Sequence, residues 1–186
     1  MPWGQVRLFV ALYPPIDLAR RWLSLAHTRL APDRRVKFRQ PPPEQIHLTA
    51  MFIGPVEMRE RDDIAESVER SASGLKAFAL TARSLTTLPK APTPPRTLCV
   101  ATDAPPTLLE LRRRLVHRLA RNPKQRREEF LPHLTVARFE HEKGIQIEEP
   151  LPAPESFPVG QIVLIESLLT PDGPEHTPAL TVTLGS

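Results

Sequence analysis

Ile46-His47-Leu48-Thr49-Ala50 and, 86 residues further on, Pro132-His133-Leu134-Thr135-Val136 are one pattern written twice. In an extended strand side chains alternate between faces, so His and Thr two apart share a face and the apolar residues beside them take the other. Each copy predicts a strand that buries Leu48 and Ala50, or Leu134 and Val136, and offers an imidazole and a hydroxyl on its other side. Two such strands predict a cleft with two facing histidines, the layout that paired acid and base work on one reacting group requires.

The rest of the 186-residue chain is ordinary enough to frame that cleft in a globular fold, with 40% hydrophobic and 25% charged residues. Its length suits one domain of two lobes spanning residues 1–186. No run approaches the roughly 18 apolar residues of a membrane span. Arg7 interrupts the first apolar run, and Leu8 to Leu12 is short and lacks a small-residue cleavage site, so neither signal peptide nor membrane contact is expected. A cytoplasmic location follows as the expectation. Cys99 stands alone, which leaves no disulfide framework and no cysteine zinc site. His27, His117, His141 and His176 are scattered, with no Asp or Glu at ligand spacing, and read as surface histidines. Neither a metal nor a cofactor is expected.

The 25 basic and 21 acidic residues nearly balance, but their distribution does not. Arg112, Arg113, Arg114, Arg118, Arg121, Lys124, Arg126 and Arg127 follow one another with no acid between them. This segment is either a solvated helix face or an electrostatic footprint for a phosphate backbone. Arg114, Arg118 and Arg121 fall on one helical stripe, about a third of a turn from the apolar stripe of Leu108, Leu111, Leu115 and Leu119.

Gln5 to Tyr13 reads as a strand ended by Pro14-Pro15, and Pro15 to Leu30 as a helix with Leu18, Trp22, Leu25 and Ala26 inward. A short strand is expected over Arg35 to Phe38, the first motif strand over Ile46 to Ile53 closed by Gly54-Pro55, and a helix over Glu57 to Ser73. Further strands are predicted over Phe78 to Leu88 and Arg96 to Thr102, then a helix from Pro105 or Pro106 to Arg121. The second motif strand comes next, over His133 to Arg138. Proline-rich Glu142 to Pro158 reads as a surface loop, and Ile162 to Leu169 with Ala179 to Leu184 as a hairpin-like pair around Pro171-Asp172-Gly173-Pro174. Without strict βαβ repetition, and with no Gly-rich phosphate loop after any strand, the fold class is α+β: antiparallel or mixed sheets with helices on one face.

Chemically, two histidines and two threonines without a serine elbow, a cysteine nucleophile or a carboxylate pair suit in-line attack on a phosphodiester. One imidazole takes a proton from the attacking water or hydroxyl, the other protonates the leaving oxygen, and the hydroxyls donate to phosphate oxygens.

Arg7-Leu8-Phe9-Val10-Ala11-Leu12, Pro43 to Gly54 and Phe130 to Arg138 resemble the 2H phosphoesterase superfamily, in its RNA 2′,3′-cyclic phosphodiesterase branch, also called the 2′-5′ RNA ligase family. The resemblance implies a bilobal fold with a central cleft, no metal, and hydrolysis of RNA 2′,3′-cyclic phosphate ends to 2′-phosphates. It implies His47 as proton donor to the leaving 3′ oxygen, His133 as the acceptor that activates water, and Thr49 and Thr135 as holders of phosphate oxygens. Arg138 completes the family's His-x-Thr-x-x-Arg form and is implied at the phosphate. Strict alternation puts Arg138 on the face opposite His133, so that role requires a bulge or strand end between them. The implied partner is an RNA or oligonucleotide ending in a cyclic phosphate, bound by a monomer with no obligatory protein partner. The chain departs from relatives at Ala50-Met51-Phe52, at Cys99, where a tryptophan is frequent, and near His176, where an aromatic is common. Phe38 reads as a core residue before a base-stacking one. The alternatives are a 2′-5′ RNA ligase or 2′-5′ oligonucleotide phosphodiesterase, whose chemistry the same residues serve, and an inactive RNA-binding protein.

Overall fold

The computed structural model describes residues 5–127, 129–140, 145–170 and 173–185. Nine strands form one sheet: β1 (Gln5–Leu12), β2 (Phe38–Arg39), β3 (Leu48–Glu57), β4 (Phe78–Leu88), β5 (Thr97–Thr102), β6 (His133–Phe139), β7 (Glu148–Val159), β8 (Gln161–Thr170) and β9 (Gly173–Thr183). Four helices accompany them: α1 (Ile16–Leu30), α2 (Arg61–Ala72), α3 (Pro106–Leu119) and the short α4 (Pro123–Arg127). The strand order is β7-β4-β5-β6-β3-β1-β8-β9, with β2 added beside β6. Every ladder between named strands is antiparallel. The chain is thus α+β, and its sheet is antiparallel.

At the middle of this order the two motif strands meet through one residue pair, Leu48 opposite Leu134. Both leucines are fully buried and point to the helix-covered face, in one core cluster with Trp22 of α1, Val68 of α2 and Leu108 of α3. Beyond that pair β3 and β6 part, and a cleft opens between β7-β4-β5-β6 and β3-β1-β8-β9.

Each half contains a strand, a helix and a motif strand in succession, β1-α1-β3 and β5-α3-β6, yet the helices are exchanged. Helix α1 packs against β6 and α3 against β3, while α2 lies beside α3, β8 and β9. The sequence stripes place these helices. Ala19, Trp22, Ala26 and Leu30 bury one side of α1, with predicted Leu18 and Leu25 only half-buried beside them. Leu108, Leu111, Leu115 and Leu119 bury one side of α3.

Two expectations need correction. Gly54-Pro55 does not close the first motif strand, which continues to Glu57. Gly54 adopts φ 96°, a conformation that favours glycine, and turns the chain without ending the ladder. Pro55 pairs only with β1 there, so its missing N–H falls on an unpaired edge. The proline-rich stretch expected as a loop is in large part β7, the outer neighbour of β4. Pro150, Pro152, Pro154 and Pro158 are tolerated because only one side of this edge strand is hydrogen-bonded, and Leu151, Phe157 and Val159 are its buried anchors. Residues 141–144 of that expected loop, and Pro171 and Asp172 of the expected hairpin turn, lie outside the described residues. No helix among the described residues is long and apolar enough to cross a membrane.

Because one leucine pair joins the motif strands, truncating it should loosen the fold more than an average core change. Leu48→Ala and Leu134→Ala should each cost about 2–5 kcal/mol in denaturant unfolding. The double variant should lose less than the sum, since the two share one contact. Strict additivity would mean that the halves are joined elsewhere.

Candidate active site

Both motif strands bulge at the same place. Ala11 pairs with Thr49 and Val10 with Met51, leaving Ala50 without an opposite residue; Cys99 pairs with Thr135 and Leu98 with Ala137, leaving Val136 without one. Each bulge buries two consecutive residues, Ala50-Met51 and Val136-Ala137, and shifts the phase of the residues after it. Phe52 and Arg138, three residues after each threonine, are thereby returned to the face of the histidines. The bulge that an Arg138 role requires is present.

Bulged residues lose ladder partners, and their carbonyls are claimed by side chains. Arg112 Nη1 of α3 donates to Ala50 O at 2.7 Å, and Gln40 Nε2 donates to Val136 O at 3.2 Å and to Leu23 O of α1 at 2.8 Å.

The cleft has a volume of about 770 Å³, and His47, Thr49, His133, Thr135 and Arg138 all line it. Counting outward from Leu48–Leu134 in antiparallel register sets His47 across from Thr135 and Thr49 across from His133. Each imidazole is tethered in the same way. Nδ1 of His47 lies 2.7 Å from Gln45 O, and Nδ1 of His133 lies 2.6 Å from Leu131 O. A carbonyl only accepts, so both Nδ1 atoms carry the proton and the two Nε2 atoms are the nitrogens outside these tethers. The first carbonyl comes from a 3-10 turn over Pro43–Gln45.

His47 rests on Phe9, whose ring is stacked with it at 4.9 Å between centroids. His176 of β9 stands edge-on to both, 5.5 Å from His47 and 5.1 Å from Phe9. His176 is therefore a cleft residue, not the surface histidine expected, whereas His27 and His117 are exposed and His141 lies outside the described residues. The cross-strand row Arg7–Ser167–His176 carries it into the cleft from the far side of the sheet. The Nδ1 of His176 is buried without a hydrogen-bond partner. Sequence reading also passed over Phe9, Arg7, Arg39 and Thr97 as lining residues. Row alternation along β1 could have flagged Phe9, while Thr97 and Arg39 enter only through pairing with Arg138.

Cys99 does not line the cleft. It is fully buried beneath it, its Sγ 3.4 Å from Thr97 Oγ1 and 3.8 Å from Thr135 Oγ1, and burial pushes its thiol pKa up. Phe38 is half-buried against the core, edge-on to His27. Among the described residues no three His, Cys, Asp or Glu gather as metal ligands.

The basic run is not where a footprint would be: none of its residues lines the cleft. Glu110 holds Arg113 and Arg114, Glu60 holds Arg121, and the Arg112 guanidinium lies 4.4 Å over the Phe130 ring. These acids precede the run in sequence, so counting charges within it overstated its free positive charge.

Burial holds the His47 pKa at about 4, against the opposing pull of the Gln45 carbonyl, and repulsion from His176, Arg138 and His133 pushes the same way as burial. His176 is lowered as well, by burial and then by Arg138. The cleft thus favours a neutral His47 and, by the same electrostatics, an anion.

A family model described as the 2′-5′ RNA ligase superfamily matches residues 14–170. An RNA 2′,3′-cyclic phosphodiesterase of Thermotoga maritima is 28% identical over 134 residues, 70% of this chain and 71% of its own. A protein of the same name from Methanothermobacter thermautotrophicus is 27% identical over 179 residues, 93% of this chain and 96% of its own. Among solved structures, TT0787 of Thermus thermophilus is similar with a TM-score of 0.82 at 26% identity, over 96% of this chain and 97% of that one.

The depressed His47 pKa has a signature. In the unfolded chain the ring titrates near 6.5, so acidification protonates the unfolded state first. Stability from the neutral ring is complete above that value and is lost as pH falls through about 4. By NMR, the His47 ring of the folded protein should titrate near 4. Arg138→Gln should raise the midpoint only part of the way, because burial is the larger cause, and saturating inorganic phosphate should raise it too. A midpoint at the ordinary histidine value in the free protein would contradict this account.

Proposed function

This chain belongs to the 2′-5′ RNA ligase superfamily, and on that premise we propose that it hydrolyses RNA 2′,3′-cyclic phosphate ends to 2′-phosphates, acting as one two-lobed domain. The observation that carries this reading is the paired tether: two imidazoles with Nδ1 fixed on carbonyls, each offering Nε2 to one cleft. The names of the curated relatives support the same activity.

In the proposed reaction the cyclic phosphate lies between the motif strands. Thr49 and Thr135 donate to its non-bridging oxygens, and Arg138 adds charge-assisted bonds. Nε2 of His133 takes a proton from water as its oxygen attacks phosphorus in line with the 3′ oxygen. The bond from phosphorus to O3′ breaks, and Nε2 of His47 gives O3′ its proton, leaving a 3′-hydroxyl and a 2′-phosphate. A proton donor must be charged first, and the neutral free state of His47 makes that conditional on substrate. The anionic phosphodiester offsets the Arg138 charge and so restores a proton to His47. No step requires a metal.

Ligation is the reverse of 2′-5′ bond cleavage, with a 5′-hydroxyl in place of water, and the same two imidazoles serve it. Product analysis of a cyclic-phosphate oligonucleotide with and without a 5′-hydroxyl partner separates the two directions. A protein that only binds RNA would turn over neither.

Removing either acid or base should cost about 10²- to 10⁴-fold in kcat on a cyclic nucleotide, in the presence of chelator. His47→Ala and His133→Ala together should cost far less than the product of the single losses, since both act on one transition state. Leaving-group chemistry separates the roles. A p-nitrophenyl phosphodiester expels a stable anion that needs no proton, so His47→Ala should lose little on it while His133→Ala loses activity on both substrates. The opposite pattern would exchange the assignments, and activity abolished by chelator would replace them with metal chemistry.

A further inference from the structure

Arg39 and Arg138 are direct cross-strand partners in the short β2–β6 ribbon. Partners of this kind stand on one face with Cβ atoms about 4.5–5.5 Å apart, and like charges there repel. Both arginines are exposed and both line the cleft. The ion pairs of the described residues give neither a carboxylate partner, although neighbouring arginines elsewhere on this surface are regularly paired. Glu175, the one carboxylate among the described residues that line the cleft, lies on β9 at the far side of the sheet from β2. An unrelieved cation pair that faces a cleft is electrostatically costly when empty and is relieved by anions.

The position of the pair says how many anions. On the side away from Arg39, Arg138 is opposite Thr97, and two residues further along β5 Cys99 is opposite Thr135. Arg138 therefore belongs to the row system of the second His-x-Thr motif. Arg39 lies across from Arg138 on the other side of β6 from β5, outside the β5–β6 row of the motif, and is followed by Gln40, Pro41 and Pro42 along the cleft. Phe38, packed on the core and against His27, fixes the ribbon from beneath.

We propose that Arg39 forms a second phosphate subsite, taking the internucleotide phosphate adjacent to the reacting one, so that the preferred substrate is an oligonucleotide end and not a cyclic mononucleotide. The inference rests on the phosphodiesterase reading for the identity of the first phosphate. It places the grip on the RNA chain at the cleft rim and not on the basic run from Arg112 to Arg127.

The test compares a cyclic mononucleotide with a dinucleotide ending in the same cyclic phosphate. Arg39→Gln should lower kcat/KM about tenfold on the dinucleotide, the worth of one charge-assisted contact, and about twofold on the mononucleotide. The loss should lie in KM, and the dinucleotide salt slope should shrink by about 0.7, as for one phosphate on a single strand. Arg39→Lys should recover part of it. Arg118→Gln, on the exposed side of α3, should leave both substrates unaffected. Equal losses on the two substrates would make Arg39 part of the reacting-phosphate clamp and overturn the subsite, as would no loss on either. Calorimetric binding of the unreactive 2′-phosphate-ended dinucleotide separates the two readings. Arg39-dependent binding without turnover by the native protein would retain the subsite and discard the phosphodiesterase reading.

Discussion

The site depends on a phase shift. Along an unbroken strand a histidine, a threonine two residues on and an arginine three further on cannot all face one way, because the side-chain period is two. One extra residue after each threonine, Ala50 in β3 and Val136 in β6, supplies the odd step. The cost is a buried carbonyl without a ladder partner in each strand, and leaving such a group unsatisfied costs about 1–3 kcal/mol. Arg112 and Gln40 remove that cost. Each reaches its bulge in company with the helix packed there, Arg112 as part of α3 on β3 and Gln40 through its bond to Leu23 of α1 on β6.

The electrostatics of the cleft arise from the same geometry. Burial pushes the His47 and His176 rings toward the neutral form, and Arg138, returned to the histidine face, adds a permanent cation that pushes the same way. Neutrality suits the resting site, where a desolvated imidazolium would repel its neighbours. It also makes the charge state of His47 a function of the bound ligand. In the proposed reaction a phosphodiester monoanion would supply the charge that offsets burial and the arginine, so that substrate recognition would set the protonation of His47.

Much of this was legible in the sequence because local rules operate there. Period-two alternation put His47 with Thr49 and His133 with Thr135 on one face of each strand, the recurrence and the family resemblance suggested one shared cleft, and period 3.6 gave the stripe from Leu108 to Leu119. The illegible part is set by long-range pairing. His176 is 129 residues from His47 and reaches it through the β1–β8–β9 ladders, so no local spacing could mark it. Glu110 and Glu60 neutralise arginines of a run that contains no acid of its own, one from an earlier turn of the same helix and one from another element. The prolines of β7 read as a loop because their tolerance comes from an edge position that only the sheet order reveals.

The exchanged helices tie the two motif copies to one cleft. Were α1 to cover its own β1–β3 unit and α3 its own β5–β6 unit, each half would bury its apolar face independently. The halves could then shift against one another at little cost, and two imidazoles meant for one phosphorus would lose their relative placement. With α1 on β6 and α3 on β3, the chain must cross the midline twice to complete either core, and Leu48, Leu134, Trp22 and Leu108 fall in a single cluster. Separating the motif strands would then expose helix and sheet on both sides at once. Proximity effects in catalysis demand placement to well under an ångström. The crossed packing constrains that placement although only one ladder pair joins the two motif strands.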